Sequence, residues 1–164
     1  MLIVFLIGLF EHVKDNLRSA IYVHDREGLT PLLRVAKLGN LCEASKMLKH
    51  FPDLIQVRDY KGRSFLHLLV VDDDEWSPRV AKKLYEQVPT MDAIRKTKDF
   101  DGNTPLYSTI QDGNSVGAKL IAERCVETDD FDLVFQQLAT FNDQGQDIAH
   151  LVAADEDAPI EVQT

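Results

Sequence analysis

The sequence predicts an all-α repeat solenoid, made of helix–turn–helix units joined by tight, hairpin-like turns. Three observations predict it. A nine-residue stretch that opens with Asp or Asn and carries Gly at its fourth position occurs four times: Asp25–Leu33, Asp59–His67, Asp99–Tyr107 and Asn142–His150. Its glycines lie 34, 40 and 43 positions apart, a spacing of one supersecondary unit. Two residues after each glycine stands Thr30, Ser64, Thr104 or Asp147, and apolar residues at helical spacing follow.

Each copy has a mechanical meaning. Asp or Asn at the head of a tight turn accepts a nearby backbone N–H. The glycine takes backbone angles that a Cβ would penalise. The hydroxyl residue then caps a helix, and Pro31 and Pro105 occupy the first helical position, where a missing N–H costs nothing.

Taken in order, residues 1–24 are expected to form a helical half unit. Met1 to Phe10 are apolar throughout, but about ten residues fall short of the roughly twenty that cross a bilayer. No Lys or Arg precedes the run and no small-residue cleavage site follows it. A signal anchor or an interfacial segment is the alternative for this stretch. The solenoid proper spans 25–154. Its first unit, 25–58, has a helix from Pro31 to Lys37 that stops at Gly39, and a second from Leu41 to His50. Leu41, Ala44, Leu48 and Met47 form the buried face of that second helix. Phe51-Pro52-Asp53 ends it.

The second unit, 59–98, follows the same plan with an insertion, Val71 to Trp76, where the first has Gly39-Asn40. Four successive acidic residues, Asp72 to Glu75, predict a water-exposed loop. Ser77 is expected to cap the next helix, with Pro78 in its first turn, Gln87 near its end, and Val80, Leu84 and Val88 as its apolar stripe. In the third unit, 99–141, Gln111-Asp112-Gly113-Asn114 parallels Lys37-Leu38-Gly39-Asn40, and a helix follows from Ser115 to Arg124. The stretch from Glu127 to Leu138 predicts an extra helical turn in the exit. A partial fourth unit covers 142–154, and 155–164 reads as a frayed polar tail.

The series resembles ankyrin repeats, whose typical opening is Asp-x-x-Gly-x-Thr-Pro-Leu-His. Thr30-Pro31-Leu32 and Thr104-Pro105-Leu106 match it well. Ser64-Phe65-Leu66-His67 keeps the histidine without the proline, and Asp147-Ile148-Ala149-His150 is the most degraded copy. Within that family the run Asp92 to Leu106, together with Ala20-Ile21-Tyr22-Val23, is similar to the plant ankyrin proteins related to accelerated cell death. Full-length members carry a C-terminal membrane domain that opens with Pro-Gly-Gly, a motif this sequence lacks. The resemblance implies a non-enzymatic protein-interaction module. Its alternative is a membrane-associated signalling or defence-related fragment.

Composition narrows the partners. With 45% hydrophobic and 27% charged residues, the chain reads as an ordinary soluble globular protein. A net charge of −9 argues against nucleic acid, since neutralising phosphates needs clustered Lys and Arg. A basic partner surface suits it better. Cys42 and Cys125 have no CxxC spacing and are expected to be small buried hydrophobes in a reducing, cytoplasmic setting.

No chemistry-bearing motif is present. There is no phosphate loop, no Gly-x-Ser-x-Gly elbow, no calcium loop around Asp72 to Glu75 and no metal-ligand spacing among the histidines. No cofactor, metal or catalytic residue is expected. In ankyrin repeats the position of His67 and His150 commonly holds a histidine that hydrogen-bonds the turn backbone.

The expected binding surface is therefore the line of turn tips and first helices. The tips are Arg26-Glu27, Tyr60-Lys61, Phe100-Asp101 and Asp143-Gln144. Arg34, Lys37, Thr109 and Gln111 are the first-helix residues that would extend them. Tyr60 and Phe100 hold the same position in successive units and should lie side by side as a hot spot. The other reading has each ring folded back on its own hairpin. Trp76 is a further candidate anchor in the acidic loop.

Overall fold

All four Asp-x-x-Gly copies close through one set of hydrogen bonds. In the first, the Asp25 N–H donates to the Leu29 carbonyl at 2.9 Å and the Gly28 N–H to the Asp25 carbonyl at 3.0 Å. The Asp25 carboxylate accepts the N–H groups of Glu27 and Leu29. Asp59, Asp99 and Asn142 repeat this with the residues two and four places on. The side chain thus occupies donors that the turn leaves unpaired.

The computed structural model describes residues 19–88, 91–127 and 138–156. Most of the expected half unit at 1–24 lies outside them, as do most of the extended exit from the third unit and residues 157–164 of the expected tail. Among the described residues the fold is helical and has no strand. The helices are α1 (Pro31–Lys37), α2 (Leu41–His50), α3 (Ser77–Gln87), α4 (Met91–Ile94), α5 (Pro105–Gln111), α6 (Ser115–Glu127) and α7 (Ile148–Glu156). Two 3-10 segments, Pro52–Gln56 and Phe65–His67, lie among them.

The starts of α1 and α5 follow their sequence signals. Thr30 and Thr104 accept the Leu33 and Tyr107 N–H groups through their hydroxyls, and proline stands at the first position of each helix. Gly39 and Gly113 both adopt a left-handed backbone after these helices. Asn40 and Asn114 then cap the following helices by accepting the Glu43 and Gly117 N–H groups.

The elements lie in two rows. α1, the 3-10 turn Phe65–His67, α5 and α7 pack side by side in one, and α2, α3 and α6 in the other. Between the rows lies an apolar core in which Leu32, Leu33, Ala36, Phe65, Leu66, Ala81 and Ile121 are fully buried. Each large aliphatic or aromatic side chain so buried contributes roughly 1.5–3 kcal/mol. Leu41, Ala44 and Leu48 are buried as the helical spacing requires, while Met47 is half-buried. Leu84 and Val88 are buried and Val80 partly so.

Five expectations need correction. The second unit does not form a full first helix: a single 3-10 turn, Phe65–His67, replaces it. The Val70 N–H donates across to the Ala36 carbonyl at 3.1 Å and so leaves the helical path. Ser77 is the first residue of α3 and not its cap, because the Asp74 carboxylate accepts the Trp76 and Ser77 N–H groups and the Ser77 hydroxyl. A carboxylate suits the positive end of a helix better than a hydroxyl does. Cys42 is exposed, one residue round the helix from the buried stripe of Leu41, Ala44 and Leu48. α6 runs on to Glu127, past Arg124. α7 extends through Asp155 and Glu156, the first two residues of the expected tail.

Candidate functional site

The second tip interlocks with the third, and the third with the fourth, through their backbones. The Phe100 N–H donates to the Lys61 carbonyl at 2.9 Å, and the Asp143 N–H to the Asp101 carbonyl at 3.0 Å. The aromatic tip residues both pack against the unit before them. The Tyr60 ring lies against Gly28 so closely that a Cβ there would meet it at 2.6 Å, and Phe100 lies against Gly62 in the same way at 2.7 Å. Each ring covers the glycine of the preceding hairpin, and Tyr60 also stacks on His24 with ring centroids 5.1 Å apart. Neither expectation anticipated this inter-unit seat. Despite these contacts, Tyr60 and Phe100 remain 65% and 73% exposed.

At the first tip Arg26 and Glu27 are both exposed. Arg34 bridges Asp25 and Glu27, and Lys37 also reaches Glu27 at 3.4 Å. Hydrogen bonds from the Arg34 guanidinium hold both carboxylates below their ordinary range. These side chains form one exposed charged cluster. Thr109 does not belong to the surface: it is 1% exposed, and its hydroxyl donates to the Leu106 carbonyl. It sits on the core side of α5, whereas Gln111 is exposed. Trp76 is 66% exposed beside the Arg79 guanidinium, which lies 5.8 Å from its ring centroid. No hydrogen bond or ring contact among the described residues joins it to the tips.

Behind the tips, His67 ties the second unit to the third. Its Nδ1 accepts the Ser64 N–H at 3.1 Å and lies 2.8 Å from the Ser64 hydroxyl, while its Nε2 donates to the Asn103 carbonyl at 3.0 Å. Burial pushes its pKa below the ordinary value near 6.5, against the opposing pull of the Asn103 bond. Tyr107, at the equivalent position of the third unit, reaches Gln146 and Asn142 with its hydroxyl. His150 is exposed and paired with Asp147.

Sequence reasoning missed a ladder along the edge of the tips. The residue before each turn reaches the carbonyl of its counterpart one unit on: His24 to Arg58 at 2.9 Å, Arg58 to Lys98 at 3.0 Å and Lys98 to Phe141 at 3.3 Å. The signal was present as a His, Arg or Lys immediately before each turn aspartate. It also missed a polar cleft of about 140 Å³ between the second tip and α5, bordered by Lys61, Arg63, Asp101 and Gln111.

No group of three or more His, Cys, Asp or Glu side chains that could hold a metal ion occurs among the described residues, and no described helix is long and apolar enough to cross a membrane. No protein-family model matches the chain, and no curated protein matches it significantly.

Proposed function

We propose that the chain is an ankyrin-type repeat solenoid serving as a non-enzymatic protein-interaction module. Its binding face consists of the tips Arg26-Glu27, Tyr60-Lys61 and Phe100-Asp101, with Arg34, Lys37 and Gln111 beside them. One observation carries the reading. Tyr60 and Phe100, equivalent residues of successive tips, each pack against the glycine of the preceding hairpin and remain mostly exposed. Rigid aromatics held this way lose little conformational freedom on binding and gain much buried area. Three features support it: the identical closure of four turns, the two rows of helices, and a buried histidine with both ring nitrogens engaged by backbone. The proposed setting is the cytoplasm, where a reducing environment keeps an exposed cysteine such as Cys42 as a thiol.

The test is capture of partners from lysate by the immobilised full chain and by Tyr60→Ala/Phe100→Ala, each first checked for an unchanged helical spectrum. Loss of a specific partner in the double variant is the expected result. Equal capture at equal affinity shows that this is the wrong surface.

A further inference from the structure

The cleft between the second tip and α5 draws its lining from two units: Lys61 and Arg63 come from the second, and Asp101, Ser108, Gln111 and Asp112 from the third. At about 140 Å³ it far exceeds the roughly 10–15 Å³ that one water needs.

Its charges do not cancel. Arg63 is committed to Asp59, 2.7 Å away. Asp99 is occupied by three N–H donors, from Asp101 and from the backbone and side chain of Asn103. Two carboxylates, Asp101 and Asp112, and one ammonium, Lys61, then remain on the lining, and among the described residues none of these three is ion-paired. Ser108 supplies an independent observation. It is only 7% exposed and lines the cleft, yet its hydroxyl has no hydrogen-bond partner. The hydroxyl oxygen opens to the cleft, where a ligand's N–H can reach it.

We propose that this cleft seats the cationic head of a lysine or arginine side chain from a basic segment of the partner protein. The N–H groups of that head donate to the Ser108 hydroxyl oxygen and to the Asp101 and Asp112 carboxylates, with the Gln111 amide at the rim. An anion would instead meet the Asp101 and Asp112 carboxylates, with Lys61 the unpaired cation on the lining. The inference rests on the tip face being a protein-binding surface, and it adds the partner's chemistry. A net charge of −9 draws a basic segment toward the chain before contact.

The experiment titrates the isotopically labelled full chain with Nα-acetyl-arginine amide and Nα-acetyl-lysine amide, using the neutral isostere Nα-acetyl-citrulline amide as control. Saturable amide shifts centred on Ser108, Gln111 and Asp112 are expected from either cation and none from citrulline. Asp101→Asn/Asp112→Asn weakens the binding by about five-fold. Asp73→Asn, which removes a charge in the acidic loop, leaves it unchanged. Shifts scattered over the acidic surface, an equal response to citrulline, or unchanged affinity in a folded double variant each overturn the proposal.

Partner capture separates the two readings. If Asp101→Asn/Asp112→Asn retains a partner that Tyr60→Ala/Phe100→Ala loses, the tip surface stands and the cleft inference falls. If neither variant alters capture, the tip reading falls, and the cleft assignment falls with it.

Discussion

Thr30-Pro31 and Thr104-Pro105 open seven-residue helices in the first and third units, whereas Ser64-Phe65 opens only a three-residue 3-10 turn in the second. In the outer two the hydroxyl caps its own helix, proline pre-sets the backbone, and Gly-Asn turns the chain into the next helix. The second unit has neither the proline nor the Gly-Asn pair. Its stretch is instead held from both sides. His67 donates to Asn103, the Val70 N–H donates to Ala36, and the Asn114 side chain donates to the Leu69 carbonyl at 2.6 Å. Local signals shape the outer units, while neighbours shape the middle one. Its stability should therefore depend most on contacts that cross between units.

The largest expected effect comes from His67→Ala. It leaves the Ser64 N–H and the Asn103 carbonyl unpaired in the interior, at a cost of about 3 kcal/mol. Thr104→Ala removes one cap within a unit and should cost only about 1 kcal/mol. Urea denaturation of both variants checks the ordering, and equal losses would erase the distinction between the units.

A pair of glycine variants isolates inter-unit packing from backbone strain. Gly62 and Gly113 both have left-handed backbones, at φ +76° and +70°. A methyl group at Gly62 meets the Phe100 ring, whereas at Gly113 nothing lies within 4 Å. Gly113→Ala should cost about 1 kcal/mol for strain alone, and Gly62→Ala about 2 kcal/mol or more, because the ring must also move. Thermal melts of the two variants measure the difference.

The smallest effect appears on mild acidification. Burial lowers the pKa of folded His67 below its unfolded value near 6.5, so the unfolded chain binds more protons between those two values. The contribution of neutral His67 is complete above pH 6.5 and is lost as pH falls through that window. Stability measured from pH 7 to 5 should decline, and His67→Ala should flatten the slope.

What the sequence made legible is what is local. The Asp25-type turn, the threonine caps and the stops at Gly39 and Gly113 each join residues within five positions, so spacing alone carries them. Asp74 displaced Ser77 as a cap because two acceptors compete for the same N–H groups, and spacing does not rank them. Phe65–His67 lost its helix to bonds, around it, with residues roughly 34 to 45 positions away. At the candidate surface, the exposure of Tyr60 and Phe100 followed from their place at the tips, but their seats on Gly28 and Gly62 required the register between units. Thr109 was misplaced because one step along α5 separates the core face from the open face. The cleft is made by Lys61 and Ser108 across 47 positions, and no pattern in either stretch announces it.

The ladder of His24, Arg58 and Lys98 has a consequence for how such a chain tolerates rearrangement. Every rung points the same way, from a side chain to the backbone oxygen of its counterpart one unit on. That oxygen belongs to the main chain, so any residue can receive a rung, and only the giving side must be His, Arg or Lys. A segment cut or duplicated between two such points would meet no side-chain requirement from this ladder on the receiving side. The edge of the tips thus works as a one-way coupling, and the chain can change in whole modules more readily than in parts.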